Sequence, residues 1–106
     1  MSDCIFCQVI SGALPSTKLY EDTDVLVIKD IHPQAPVHWI VIPKKHTSEL
    51  LTADDALIHH MMTVAKKIIN DEHIAKYRIV NNGKGAAVID HLHFHVMGNV
   101  DKLRTL

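Results

Sequence analysis

His91-Leu92-His93-Phe94-His95-Val96-Met97 alternates histidine with apolar residues. In an extended chain successive side chains point to opposite faces, so this spacing predicts a strand over 91–97. Leu92, Phe94 and Val96 would pack into the core. His91, His93 and His95 would stand in a row on the other face, roughly 6–7 Å apart. A helix would scatter the same residues around its axis. Three imidazoles in a row suit proton transfer, nucleophilic attack or metal binding near neutral pH. The alternative is an exposed sheet face that is merely rich in histidine, and the three core residues opposite argue against it.

Working outward, Tyr77–Asn81 reads as the preceding strand and Asn82-Gly83-Lys84-Gly85 as a loop. Leu57, Met61, Val64 and Ile68 recur at helical spacing, with His59, Thr63, Lys66 and Asn70 on the opposite face. Thr52 is the expected cap of that helix, with Asp55 reaching back in a capping box. His38–Ile42 is apolar nearly throughout and stops at Pro43, which predicts a central strand. Asp30–Pro36 holds two prolines and is irregular. Lys18–Glu21 and Val25–Lys29 form a hairpin around Asp22-Thr23-Asp24, and Cys4–Ile10 forms a short helix closed by Gly12 and Pro15. The expectation is one α+β domain over residues 1–106. It has an antiparallel sheet of about five strands, one long helix and a short N-terminal helix. The tail Asn99–Leu106 has no assignment.

Composition narrows the function. The chain has 106 residues, with 11 Lys and Arg against 12 Asp and Glu, a net charge of −1, and 47% hydrophobic residues. No basic stripe exists to hold a phosphate backbone, so nucleic-acid binding is not expected. The longest apolar runs are four residues, far below the roughly 20 that span a bilayer. The N-terminal residues lack a basic segment followed by an apolar one, so the expectation is a cytoplasmic protein without membrane contact. Histidine is abundant, with nine copies.

Cys4-Ile5-Phe6-Cys7 is the second chemical signal. A lone Cys-x-x-Cys can be a redox pair, a metal pair or coincidence. A thioredoxin-type pair needs a βαβ unit, which the chain lacks. Structural zinc takes four ligands, and with only two cysteines the rest must be histidines. His46 and His91 are candidates, though spacing alone does not select them from nine. A catalytic zinc on His91, His93 and His95 is a further reading. Against it, strand rise puts the outer two roughly 13 Å apart.

His91–Met97 also resembles the signature of the histidine triad (HIT) superfamily of nucleotide hydrolases and transferases. Asp30–His46 is similar to the central block of its histidine triad nucleotide-binding (Hint) branch, and Ile10–Pro15 with Tyr20-Glu21-Asp22 to its N-terminal stretch. The likeness covers about residues 3–98. It implies a HIT-like fold, a homodimer, and hydrolysis of purine nucleoside phosphoramidates or related nucleotidyl substrates through a nucleotidyl-histidine intermediate. His93 matches the nucleophile, His95 the phosphate-contacting histidine, and His38 the upstream histidine that completes the catalytic group with His91. Asp30 matches the acceptor of the ribose hydroxyls, a role suited to a carboxylate facing a vicinal diol. Ile5, Phe6, Ile28, Ile31 and Ile40 fall at or near positions that sandwich the purine, and Asn81 matches a residue near the phosphate and leaving group. The same likeness implies structural zinc on Cys4, Cys7, His46 and His91. His59, His60 and His73 match no functional position and read as solvated surface; His32 has no assigned role.

One segment departs from the family pattern. Ahead of the triad the family carries Gln and Ser donors, whereas this chain reads Gly85-Ala86-Ala87-Val88-Ile89-Asp90. Ala87 and Val88 occupy the donor positions. Loss of one such donor typically costs on the order of 100- to 1000-fold in rate. The alternative function is therefore a nucleotide-binding sensor or interaction module with little turnover.

Overall fold

Asp22 organises the first hairpin: its Oδ1 accepts the N–H groups of Asp24 and Val25, each at 2.8 Å. In the computed structural model, which describes residues 3–103, this turn joins β1 (Lys18–Glu21) to β2 (Val25–Lys29). Before them lies α1 (Ile5–Ser11), ended by Gly12 at φ 87°, a left-handed conformation that glycine adopts without steric cost. After them come β3 (Val37–Pro43), a 3₁₀ turn (Leu50–Thr52), α2 (Asp55–Asp71), β4 (Arg78–Val80) and β5 (Phe94–Gly98). The sheet runs β1-β2-β3-β5-β4, antiparallel at each pairing. This is the α+β architecture expected from the sequence.

Both faces of the middle strands are buried, which explains why β2 and β3 are apolar without alternation. Val25, Val27, Val41, Phe94 and Val96 pack against Met61, Val64, Ala65 and Ile68 of α2. Leu26, Ile28, Ile40 and Ile42 pack on the other face against Phe6 and Val9 of α1. Among the described residues no helix is long and apolar enough to cross a membrane.

Several boundaries differ from the expectation. The cap of α2 is Asp54, not Thr52: the Asp54 side chain accepts the Ala56 N–H at 3.0 Å. Thr52 belongs to the 3₁₀ turn, where its hydroxyl donates to the Glu49 carbonyl. Leu57 is only half buried. The triad strand begins at Phe94 rather than His91. Its pairing with β3 stops at Val41↔Phe94, and the Leu92 N–H turns away to the Thr47 carbonyl at 2.7 Å. Pro43 has no N–H with which to extend the ladder. The alternation survives this break, since Leu92, Phe94 and Val96 are all in the core. Strand β4 is shorter than Tyr77–Asn81, and Tyr77 is exposed. Of the tail, residues 99–103 form no helix or strand, and 104–106 lie outside the described residues.

Candidate active site and metal centre

The break before β5 gives the three triad histidines different partners. A carbonyl oxygen only accepts and a backbone N–H only donates, so each main-chain bond to an imidazole reveals its tautomer. Nδ1 of His93 lies 2.7 Å from the His91 carbonyl, so Nδ1 carries the proton and Nε2 is a bare lone pair. His93 is 6% exposed and packs edge-on to Phe6 at 5.0 Å. Asn81 Nδ2 donates to the His93 carbonyl at 3.0 Å, which fixes the main chain carrying that ring.

His95 packs between His93, at 4.9 Å between ring centroids, and His38. Nδ1 of His38 accepts the Gln34 N–H at 3.0 Å, which leaves its proton on Nε2. That Nε2 lies 2.8 Å from Nδ1 of His95, so His95 accepts there and keeps its own proton on Nε2. Burial pushes the His95 pKa down to about 4; His93 and His38 add to the shift and Asp30 opposes it. His95 is therefore neutral at pH 7, a donor without charge. Asp30 Oδ2 sits 3.3 Å from His38 Nε2, while Asp30 Oδ1 accepts the His32 N–H at 2.7 Å. His38, His95, Gln34, Arg78 and Asn81 line one cavity.

His91 shares the Phe6 side with His93 but points its free nitrogen at the cysteines. Its Nε2 donates to the Pro43 carbonyl at 2.8 Å, so Nδ1 is bare. Nδ1 faces Cys4 Sγ at 3.2 Å, Cys7 Sγ at 3.5 Å and His46 Nδ1 at 3.1 Å, and Cys7 Sγ lies 3.3 Å from His46 Nδ1. Burial first, then the neighbouring histidines, lowers the His91 pKa against the pull of the Pro43 carbonyl. Tetrahedral zinc, bonded at about 2.0–2.1 Å to nitrogen and about 2.3 Å to sulfur, spaces its ligand atoms about 3.3–3.8 Å apart. Two thiols and two imidazoles at the observed separations fit that ion. The cysteines are not joined by a disulfide.

The set His91, His93 and His95 is not among the groups of described residues that converge on one point. His91 aims at the cysteines, His93 Nδ1 is bonded to a carbonyl and His95 is turned to His38. The catalytic-zinc reading fails on that geometry. Of the expected base-binding residues, Phe6, Ile28 and Ile40 are buried in the α1-side core. Ile5 and Ile31 are 50% and 83% exposed.

Two participants escaped the sequence reading. Gln34 acts through its backbone, which no side-chain motif signals. His60, expected as solvated surface, lies with its Nε2 2.8 Å from Asp22 Oδ2, the oxygen that also accepts the Tyr20 hydroxyl at 2.8 Å. Tyr20-Glu21-Asp22 was visible as a motif, but its partner on α2 lies 38 residues away. His59 and His73 are exposed as expected.

Comparisons with known proteins agree with this architecture. The family model described as scavenger mRNA decapping enzyme C-term binding matches residues 3–105. An uncharacterized HIT-like protein of Borreliella burgdorferi is 42% identical over 106 residues, covering 92% of this chain and 76% of that protein. A histidine triad protein from Clostridium difficile superposes with a TM-score of 0.88 at 36% identity, over 100% of this chain and 97% of that one. A HIT family hydrolase from Legionella pneumophila gives 0.86 at 34% identity, over 93% and 95%. A Zn-bound histidine triad family protein from Mycobacterium smegmatis gives 0.86 at 33%, over 96% and 80%. With its fold, its triad and these relatives in agreement, the chain belongs to the histidine triad superfamily and shares the fold of HIT-family hydrolases.

Proposed function

We propose that this protein hydrolyses purine nucleoside phosphoramidates or related nucleotidyl substrates through a covalent intermediate on His93. The observation that carries this reading is the bond from His93 Nδ1 to the His91 carbonyl, which leaves Nε2 as the ring nitrogen available for attack. Nε2 attacks the α-phosphorus, and the bond to the leaving nitrogen breaks as that nitrogen is protonated. Water then attacks phosphorus, the P–Nε2 bond breaks and the nucleoside monophosphate is released. His95 offers Nε2–H to the phosphoryl oxygens, Asp30 takes the ribose hydroxyls, and Asn81 steadies the nucleophile's backbone. The base lies on the apolar side formed by Phe6, Ile28 and Ile40, with Ile5 and Ile31 at its margin. Zinc on Cys4, Cys7, His46 and His91 would cross-link α1, the segment after β3 and the triad segment, a structural service. The same reading carries a cytoplasmic homodimer acting on small nucleotides, with no role for nucleic acid or membrane.

The test is hydrolysis of adenosine 5′-phosphoramidate by wild type and His93→Ala. Turnover by the first and none by the second supports the reading; equal turnover by both overturns it. A second reading, a nucleotide-binding module with little turnover, is favoured by the segment before the triad. Ala87 and Val88 offer no side-chain donors, and the N–H groups of Ala86 and Ala87 are both spent on the Gly83 carbonyl. Micromolar AMP binding with no His93-dependent hydrolysis would select it.

A further inference from the structure

Asp30 Oδ2 is 3.3 Å from His38 Nε2 and 3.9 Å from His95 Nδ1, while the two nitrogens are 2.8 Å apart. Three heavy atoms thus converge on one proton, the Nε2–H of buried His38. The Gln34 N–H denies that proton the Nδ1 position. With Nδ1 closed, the proton is directed at Nδ1 of His95, and the carboxylate of Asp30 flanks it at 3.3 Å from His38 Nε2. A carboxylate there can only accept, and this reinforces the tautomer that makes His95 accept at Nδ1 and donate at Nε2.

Resting on the proposed nucleotidyl chemistry, we infer that Asp30 is a positioning residue for the His38–His95 pair as well as the acceptor for the ribose. Its two oxygens divide the work. Oδ1 is anchored by the His32 N–H at 2.7 Å, which sets the plane of the carboxylate and aims Oδ2 at His38. A vicinal diol binding to this carboxylate would meet a group already oriented by the catalytic pair. Sugar recognition and the alignment of the phosphate-contacting histidine therefore share one side chain.

The same geometry makes Asp30→Asn a sharper probe than Asp30→Ala. The His32 N–H demands an oxygen at the Oδ1 position, so the amide NH₂ of Asn falls at the Oδ2 position. There it points a donor at the His38 Nε2–H. His38 must then swing away or move its proton to Nδ1 against the Gln34 N–H. Alanine leaves only a gap. On a 2′,3′-dideoxyadenosine 5′-phosphoramidate, which lacks the diol, Asp30→Asn should lose on the order of 100-fold in kcat, and Asp30→Ala less. A role confined to the ribose predicts equal turnover by all three proteins on that substrate.

A second readout needs no turnover. In the ligand-free protein, imidazole ¹⁵N shifts should show His38 protonated at Nε2 and bare at Nδ1. Asp30→Asn should change this pattern while its amide spectrum remains that of a folded chain. Unchanged His38 shifts in Asp30→Asn, or equal rates on the dideoxy substrate, overturn the inference. If wild type hydrolyses no phosphoramidate at all, the proposed function falls, and the ¹⁵N experiment decides the role of Asp30 by itself.

Discussion

The Nε2 of His91 donates to the carbonyl oxygen of Pro43 at 2.8 Å, and that single bond turns Nδ1 toward Cys4, Cys7 and His46. His91 is fully buried and directly precedes the triad core, so whatever holds its ring also holds the backbone carbonyl that orients His93. The candidate metal ligand His91 and the proposed nucleophile His93 are two residues apart, and the two roles would depend on different atoms of His91.

Zinc should therefore stabilise the fold without entering the reaction. The purified protein is expected to hold about one zinc per chain, and chelation should lower the melting temperature. If free zinc stands near 1000-fold above its Kd, binding contributes about 4 kcal/mol. Residual turnover at temperatures where the metal-free chain stays folded would separate this role from a catalytic one. Immediate loss of activity on chelation, with the fold intact, would refute it.

Asp22 ties the β1–β2 hairpin to α2 through His60. Burial works against ionisation of Asp22, but donors from the Asp24 and Val25 backbone, Tyr20 and His60 outweigh it and hold its pKa at about 2. A carboxyl depressed in the folded state stabilises the fold at pH values above its unfolded pKa. That stability is lost as pH falls from about 4 toward 2. Asp22→Ala should cost roughly 2 kcal/mol at pH 7 and flatten the acid limb of the denaturation curve. His60→Ala should cost about 1 kcal/mol. An unchanged acid limb in Asp22→Ala would count against the assignment.

His95 should titrate far below an ordinary histidine. Burial, with His93 and His38 beside it, pushes its pKa down to about 4. A buried histidine that resists charging destabilises the fold as pH drops below its unfolded value, because the unfolded chain then binds the extra proton. Imidazole shifts followed by NMR should show His95 still neutral at pH 5.5. A midpoint near 6.5 would contradict the packing described above.

Restoring the two missing donors should restore rate. Ala87→Gln combined with Val88→Ser supplies the side chains that the family pattern carries there, and a gain on the order of 10- to 100-fold in kcat is expected if they reach the developing charge. Steady-state kinetics on adenosine 5′-phosphoramidate measures it directly. No gain would place the limit on turnover elsewhere in the site.

Much of the architecture was legible in the residue pattern because burial writes itself into periodicity. Leu92, Phe94 and Val96 sit in the core as alternation requires, and Met61, Val64 and Ile68 line the inner face of α2 as their spacing requires. Residue types also announced chemistry, since two cysteines and a histidine triad admit few uses. Boundaries were less visible. Asp54 rather than Thr52 caps α2 because an intervening 3₁₀ turn claims the Thr52 hydroxyl, and either residue satisfies the local rule.

What only the tertiary structure decided is which nitrogen does what. Cys7 and His46 are 39 residues apart, and His46 and His91 a further 45, so their convergence follows from the β2-β3-β5 order of the sheet. The proton positions on His38, His91 and His93 are dictated by the Gln34 amide, the Pro43 carbonyl and the His91 carbonyl. The main chain offers carbonyls at every residue and amides at nearly every one, so such bonds leave no mark on the sequence. The residue pattern thus determined that histidines would line this sheet. The fold determined which nitrogen of each ring is left bare and where it points, because backbone groups brought in by the fold fix the tautomers.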